Sequence, residues 1–159
     1  MDLYLVRHAI AEPRGGRFED AQRPLTLEGM ERFERSVKGL GRTRIEFDGV
    51  LHSPWRRAVE TAQRLAPLLG SGRREETEEL SRPPRGELLK LVRGDSQAIV
   101  GHQPWLGELL AWLCLGEREL SGAFALKKGG IAWLSGDPEP GGCVVRALWT
   151  PRSLRRMAD

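Results

Sequence analysis

Short apolar runs alternate with amphipathic segments through the first two-thirds of the chain. Residues 2–7, 47–52 and 97–101 are apolar runs of the length typical of buried strands. Apolar residues at helical spacing follow Thr26, which we interpret as an N-cap, and this helix is expected to end at Gly39 and Gly41. Further helices are predicted from Ser53-Pro54 to Leu69, from Gly86 to Val92 and from Pro104 to Leu113, with a short strand before Leu80.

The pattern changes in the last third of the chain. Residues 123–126, 131–134 and 143–149 are predicted to be three strands joined by glycine-rich turns, and Thr150-Pro151 can cap a last helical turn. Alternating strands and helices indicate a mostly parallel sheet covered on both faces. The predicted fold class is therefore α/β, a three-layer α/β/α sandwich whose closing hairpin supplies one antiparallel strand.

Composition limits the function classes. The 159 residues, of which 40% are hydrophobic, suffice for one domain with a substantial core, so we predict a single domain over residues 1–159. No apolar stretch approaches the roughly 20 residues of a membrane span, and the first residues lack the features of a signal peptide, which favours a cytoplasmic location. Cys114 and Cys143 match neither zinc-ligand nor disulfide spacing, and we expect two reduced, packed thiols. The net charge of +3 suits an anionic substrate, and we expect neither nucleic acid nor a membrane as a partner.

Polar segments follow three of the predicted strands. Arg7-His8 follows the first, Ser53 to Ala58 the second, and Gly101 to Pro104 the strand over 97–101. The carboxyl ends of parallel strands meet at one edge of the sheet, where open α/β sheets bind their ligands. Arginine suits oxyanions because its fork of donors matches phosphate geometry, and helix N-termini expected near Ser53 and Gln103 also favour anions. These residues predict a phosphate site.

The same segments resemble a known family. Arg7-His8, Ser53-Pro54-x-x-Arg57-Ala58 and Gly101-His102-x-Pro104, in this order, resemble the histidine phosphatase superfamily, the phosphoglycerate-mutase-like proteins. Arg-Pro-Leu-Thr at residues 23–26 and the short chain are similar to the SixA-type phosphohistidine phosphatases. The resemblance implies a phosphoglycerate-mutase-like fold.

The resemblance also implies roles for single residues. His8 is the nucleophile that takes the phosphoryl group, Arg7 and Arg57 hold its oxygens, and His102 adds a donor. Arg57 rather than Arg56 matches the family arginine, because it directly precedes Ala58. We expect a neutral His8, oriented by a hydrogen bond to backbone, and an imidazolium at His102. Gln103 is a further substrate-binding candidate.

The chain departs from larger members of the family in two respects. Those relatives insert a helical lid before the second histidine, whereas residues 81–100 leave room for little more than a helix and a strand, so we expect an open site without a helical lid. They also supply a carboxylic acid that protonates the leaving oxygen, and the acid-phosphatase branch places it where this chain has Gln103. Glu79 is the nearest candidate for a general acid here, and the alternative is a surface carboxylate.

Several interpretations remain open for neighbouring residues. Asp20 and Arg23 could form a pair that anchors the loop over the site, or they could contact substrate. We interpret His52 as structural, and Trp55 and Trp105 as candidates to border the site. Three histidines could suggest zinc, but Arg7 and Arg57 would repel a cation, so we expect neither metal nor cofactor.

These observations favour a phosphatase that works through a covalent phosphohistidine intermediate. The expected substrate is phosphohistidine on a partner protein, of the phosphotransfer or phosphotransferase-system type. One alternative is a small-molecule phosphomonoesterase, and another is a non-catalytic phosphate-binding adaptor. The two histidines argue against the adaptor, because binding alone needs only the arginines.

Overall fold

A mixed sheet of six strands organises the fold in the computed structural model, which describes residues 1–159. The strands are β1 (Asp2–Arg7), β2 (Phe47–His52), β3 (Leu69–Glu76), β4 (Ser96–Gly101), β5 (Ile131–Gly136) and β6 (Cys143–Trp149). Their order across the sheet is β3-β2-β4-β1-β5-β6. β5 pairs antiparallel with both β1 and β6, whereas the other pairs are parallel. Only β5 therefore runs against the other strands, which confirms the mostly parallel sheet with one antiparallel strand.

Helices cover both faces of this sheet. They are α1 (Leu27–Gly41), α2 (Arg56–Arg64), α3 (Gly86–Leu89), α4 (Trp105–Leu115) and α5 (Pro151–Met157). The apolar residues of α1, α2 and α5 pack with Tyr4 and Val6 of β1, and those of α3 and α4 pack with Leu3 and Leu5. Because successive side chains of a strand point to opposite faces, β1 contributes to both cores. The predicted three-layer sandwich is confirmed.

The helix α1 begins after Thr26 and ends at Gly41 as the sequence predicts, but Gly39 has a different role. The hydroxyl oxygen of Thr26 accepts a hydrogen bond of 2.9 Å from the Gly29 amide, which caps the helix. Gly39 lies inside the helix, where a Cβ atom would overlap the carbonyl oxygen of Leu154. Gly39 therefore permits the close approach of α5 and does not end α1.

Three predicted elements differ from the structure. The helix predicted to reach Leu69 ends at Arg64, since Pro67 lacks the amide hydrogen a longer helix needs; a 3-10 turn over Ala66–Leu68 leads into β3. The predicted helix over residues 86–92 is only the single turn Gly86–Leu89. Residues 123–126 are not a strand: Ala123 ends the 3-10 helix Arg118–Ala123, and residues 124–126 have no regular structure.

The sheet order brings the polar segments together. β4 lies between β1 and β2, so the three carboxyl ends that carry Arg7-His8, Ser53 and His102 are neighbours. The His8 amide donates to the Gly101 carbonyl oxygen, and the Ser53 amide donates to that of Val100, both at 3.1 Å. No helix is both long and apolar enough to cross a membrane.

Candidate active site

A cavity of about 570 Å³ opens at the carboxyl ends of β1, β4 and β2. It is lined by polar residues and two prolines: Arg7, His8, Pro13, Arg14, Arg23, Arg57, His102, Gln103, Pro104 and Lys128. Four of the predicted site residues, Arg7, His8, Arg57 and His102, are thus brought together, and no helical lid lies among the lining residues.

His8 is held as a neutral imidazole with a defined tautomer. Its Nδ1 lies 2.8 Å from the carbonyl oxygen of Ala9, which can only accept, so Nδ1 carries the ring hydrogen. Nε2 consequently keeps its lone pair and accepts from Arg57 Nε at 3.3 Å. Burial lowers the pKa of His8 to about 3, and the positive charge of Arg57 contributes further. The backbone hydrogen bond expected from the sequence is present.

Arg57 is the largest of the fully buried side chains, with 1% of its surface exposed. One guanidinium nitrogen donates to the carbonyl oxygen of Asp20 at 2.6 Å. Burial lowers the pKa of Arg57 to about 10, which leaves it charged at neutral pH. Its neighbour Arg56 is exposed and pairs with Glu60 at 2.8 Å, so the two adjacent arginines have different surroundings.

Thr61 links the helix α2 to the strand end that carries His8. Its hydroxyl donates to the carbonyl oxygen of Arg57 at 2.6 Å and accepts from the Ala9 amide at 3.1 Å. Thr61 is completely buried, so neither bond competes with water. The pair fixes the first turn of α2 relative to His8.

The chain between α4 and β5 returns to the end of β1. Arg7 donates to the carbonyl oxygen of Leu126 at 2.7 Å, and its Nε is buried without a partner. The Gly129 amide lies 3.0 Å from the carbonyl oxygens of both Arg7 and His8. Residues 124–130, which include three of the four residues wrongly predicted as a strand over 123–126, therefore brace one wall of the cavity.

His102 lies across the cavity from His8, with 5.3 Å between ring centroids. Its Nε2 is 2.8 Å from the hydroxyl oxygen of Ser53, and its Nδ1 is buried without a partner. The Trp55 amide donates to Ser53 at 3.2 Å, so the hydroxyl hydrogen of Ser53 can be donated to Nε2. In that arrangement Nδ1 carries the ring hydrogen and is a donor.

The expectation of an imidazolium at His102 is wrong for the protein alone. Burial lowers its pKa to about 2, and the charge of Arg57 and the proximity of His8 act in the same direction. The predicted helix start at Ser53-Pro54 is also wrong. α2 begins at Arg56, three residues later, and the serine hydroxyl contacts His102 instead.

Asp20 and Arg23 form the pair that anchors the loop before α1. Arg23 Nε donates to the Asp20 carboxylate at 2.8 Å, and Arg23 is only 4% exposed. The same carboxylate lies 3.6 Å from a guanidinium nitrogen of Arg57 and 3.4 Å from Arg14. Burial alone would raise the pKa of Asp20, but the charges of Arg57 and Arg23 outweigh it and lower the pKa. Asp20 is therefore an ionised carboxylate that organises arginines.

Three further residues considered from the sequence, Gln103, Trp55 and His52, have supporting roles near the site. Gln103 lines the cavity, but its side-chain oxygen accepts from the Gly107 amide at 2.7 Å and so caps α4. The Trp55 ring lies 4.7 Å from the His102 ring, tilted by 45°, and the Arg57 guanidinium lies over its face at 4.7 Å, so Trp55 packs behind the site. His52 is buried, and its Nδ1 contacts the carbonyl oxygen of Ser53 at 3.0 Å, in keeping with a structural residue.

Glu79 does not fit the role of a general acid. Arg85 donates two hydrogen bonds of 2.6 Å to its carboxylate, and these bonds lower the pKa of Glu79. A general acid at neutral pH needs a raised pKa instead. Glu79 lies outside the lining of the cavity that contains His8 and borders a separate, much smaller one behind His102.

Sequence reasoning missed two cationic residues of the lining, Arg14 and Lys128. Both lie on loops without motif or periodicity, so only the folded chain brings them to the cavity. No group of three or more histidine, cysteine, aspartate or glutamate side chains is arranged to hold a metal ion.

Comparison with known proteins gives a consistent assignment. Residues 3–82 match the family model of the histidine phosphatase superfamily, branch 1. The chain is 35% identical over 143 residues to an uncharacterized protein of a Picosynechococcus strain, a match that covers 84% of each chain.

Solved structures resemble the whole chain. The protein histidine phosphatase SixA complexed with tungstate is 27% identical, with a TM-score of 0.77 over 97% of this chain and 99% of that chain. A phosphoserine phosphatase of Entamoeba histolytica, in complex with 3-phosphoglyceric acid, is 18% identical, with a TM-score of 0.71 over 96% of this chain and 98% of that one. The second likeness concerns the fold alone.

Proposed function

The chain belongs to the histidine phosphatase superfamily, with a SixA-type architecture, and we propose that it removes the phosphoryl group from phosphohistidine on a partner protein. The observation that carries the proposal is the neutral His8, whose Nε2 lone pair borders a cavity of cationic donors. The proposed unit is a single cytoplasmic domain over residues 1–159.

The first chemical step transfers the phosphoryl group to the enzyme. Arg57 Nε gives up its hydrogen bond to His8 Nε2 and turns to the phosphoryl oxygens, which frees the Nε2 lone pair to attack phosphorus. A new P–N bond forms, and the P–N bond to the substrate imidazole breaks. Solvent has protonated the other ring nitrogen of that imidazole, so it leaves as the neutral ring. Arg7, Arg57 and the Nδ1 hydrogen of His102 donate to the three equatorial oxygens, where charge is concentrated.

The second step restores the enzyme. A water molecule attacks the phosphorus of phospho-His8, the P–N bond breaks, and inorganic phosphate leaves with His8 Nε2 again unprotonated. The hydrogen bond from Nδ1 to Ala9 persists through both steps and keeps the ring in place. Tungstate, which is a tetrahedral oxyanion like phosphate, is bound by the similar SixA structure.

The kind of substrate that the enzyme can cleave depends on whether the cavity holds an acid to protonate the leaving group. No carboxyl group lines the cavity, Asp20 at its border has a lowered pKa, and Glu79 is held as a carboxylate by Arg85. An alcohol is about as weakly acidic as water, with a pKa of ~15.7, and leaves poorly without an acid. Imidazole has a conjugate-acid pKa of about 6.5, so solvent can supply its proton. Phosphohistidine is therefore the favoured substrate.

A panel of phosphorylated substrates tests this proposal. We expect kcat/KM for a phosphohistidine-bearing phosphotransfer or phosphotransferase-system protein to exceed that for phosphoserine and a sugar phosphate by at least about a hundredfold, or about 2.7 kcal/mol of barrier. All substrates are compared at one pH and one salt concentration. Equal rates on simple alkyl phosphates would contradict the proposal and favour the small-molecule phosphomonoesterase.

Two controls accompany the panel. Brief incubation with a radiolabelled phosphodonor, followed by acid or alkaline quench, should give an enzyme-bound label that is lost in acid and stable in alkali. The adaptor alternative predicts binding without any such label. We also expect a chelator to leave activity unchanged, and activity restored by one divalent metal after chelation would contradict the metal-independent mechanism.

A further inference from the structure

The cavity carries more positive charge than a phosphoryl group neutralises. Five cationic side chains line it, and the Asp20 carboxylate is the only acidic group that contacts them. These five are Arg7, Arg14, Arg23, Arg57 and Lys128. A phosphoryl group brings about two negative charges at neutral pH. A surplus of positive charge therefore remains after the phosphoryl group has bound.

This surplus lies at the mouth of the cavity. Arg7, Arg23 and Arg57 are committed to bonds with backbone carbonyls or with Asp20. Arg14 also pairs with Asp20, at 3.4 Å, but its side chain is 73% exposed and so can reach a bound substrate. Lys128 is exposed and takes part in no salt bridge.

The backbone fixes Lys128 relative to the nucleophile. Lys128 precedes Gly129, whose positive φ of 76° and bonds to the carbonyl oxygens of Arg7 and His8 define a tight turn. The Gly130 amide closes this turn on the carbonyl oxygen of Lys127 at 2.7 Å. The positive charge of Lys128 is one of the causes that lower the pKa of His8, after burial and the charges of Arg57 and Arg7.

We infer that Lys128, together with Arg14, forms a second anion subsite, which selects phosphohistidines presented on an acidic protein surface. A carboxylate next to the phosphohistidine would reach these two cations while the phosphoryl group occupies the floor of the cavity. This inference rests on the proposed function, because it assumes a protein-borne phosphohistidine. The subsite ranks substrates by their flanking charge and takes no part in the chemical steps.

Paired peptides isolate the effect of flanking charge. Two phosphohistidine peptides of equal length are compared, one with aspartates beside the phosphohistidine and one with asparagines at the same places. We expect the enzyme to prefer the aspartate peptide by about fivefold in kcat/KM, in line with a partly solvated ion pair. The preference should fall toward unity as salt increases, because exposed charges are screened.

Matched variants assign this preference to residues. Lys128→Gln should reduce it to less than about twofold, and Arg14→Gln should reduce it in part. Lys127→Gln is the control, since Lys127 is an exposed neighbour outside the cavity lining, and it should keep the full preference. Taking the ratio of two substrates on one variant removes any general loss of activity or of folded protein.

The outcomes separate this inference from the proposed function. A preference that persists in Lys128→Gln, or its absence in the unmodified enzyme, overturns the subsite but leaves the phosphohistidine phosphatase intact. Failure to hydrolyse both peptides and a phosphohistidine protein, with p-nitrophenyl phosphate still hydrolysed, overturns the proposed function and the subsite together.

Discussion

The floor and the rim of the cavity are built from different parts of the chain. The floor consists of Arg7, His8, Arg57 and His102, and the rim consists of Arg14, Gln103 and Lys128. Three of the floor residues are nine-tenths buried or more, and the Arg7 guanidinium is tied to a backbone carbonyl. Both rim cations lie on loops and are exposed. Fixed donors on the floor suit one invariant group, such as a phosphoryl group, whereas the exposed rim suits groups that vary between substrates.

Loss of the proposed nucleophile should give the largest effect and tests the contrast between floor and rim most directly. His8→Ala removes the Nε2 atom that accepts from Arg57 and that we propose attacks phosphorus. Alanine has no nucleophilic atom, so the covalent step cannot occur. We expect activity to fall at least a thousandfold, about 4 kcal/mol, with an unchanged circular dichroism spectrum. Turnover within tenfold of the unmodified enzyme would rule out the covalent mechanism.

Adjacent arginines offer a matched test of the floor. Arg57→Ala removes a buried donor and should cost about 2–4 kcal/mol of transition-state stabilisation, measured as kcat/KM. Arg56→Ala removes an exposed partner of Glu60 and should change kcat/KM by less than about twofold. Equal losses in the two variants would show that the buried arginine has no special role.

The pKa values of the buried histidines predict how stability depends on pH. Both His8 and His102 have pKa values far below the ordinary 6.5, so the folded protein excludes protons that the unfolded chain takes up below pH 6.5. Above that pH the two histidines contribute nothing to the dependence, and below it the free energy of unfolding falls by about 1.4 kcal/mol per pH unit for each.

Urea denaturation at pH 7 and 5.5 measures this loss, which we expect to be about 2.5 kcal/mol. His8→Gln should retain about half of the difference, because His102 still titrates. A difference that is the same in the unmodified protein and in this variant would assign the pH dependence to other groups.

Ser53→Ala should give the smallest of these effects. Ser53 contacts His102 and does not line the cavity, so this variant tests a residue that positions His102 without touching the substrate. Without the hydroxyl, His102 Nε2 loses its partner and the preferred tautomer is no longer fixed. We expect about a fivefold loss of activity, near 1 kcal/mol, mainly in kcat. A loss confined to KM, or one that follows a fall in melting temperature, would point to a merely structural serine.

The floor could be predicted from the sequence because each of its residues lies beside a recognisable strand. Apolar runs locate the strands, and the parallel arrangement brings their carboxyl ends to one edge, so His8 and His102 were expected to meet. The choice of Arg57 over Arg56 came from the resemblance, and the structure places Arg57 in the cavity.

The rim could not be predicted in this way. Arg14 and Lys128 lie far apart in the sequence and within segments of no clear period, and their positions depend on backbone hydrogen bonds that a pattern does not encode. The predicted imidazolium at His102 is wrong for a related reason. Its pKa depends on burial and on nearby cations, which only the packed structure defines. The helix start predicted at Ser53-Pro54 is wrong because Ser-Pro is a common start of a helix, whereas here the Ser53 hydroxyl contacts His102.

The central position of β1 also has a consequence for how the protein is made. β1 leaves the ribosome before both of its neighbours, because β4 and β5 begin only at Ser96 and Ile131. Both edges of β1, the strand that precedes His8, can therefore be paired only after most of the chain has been synthesised. Until then the apolar residues of β1 remain exposed. We therefore expect the formation of these long-range pairings to limit the refolding rate.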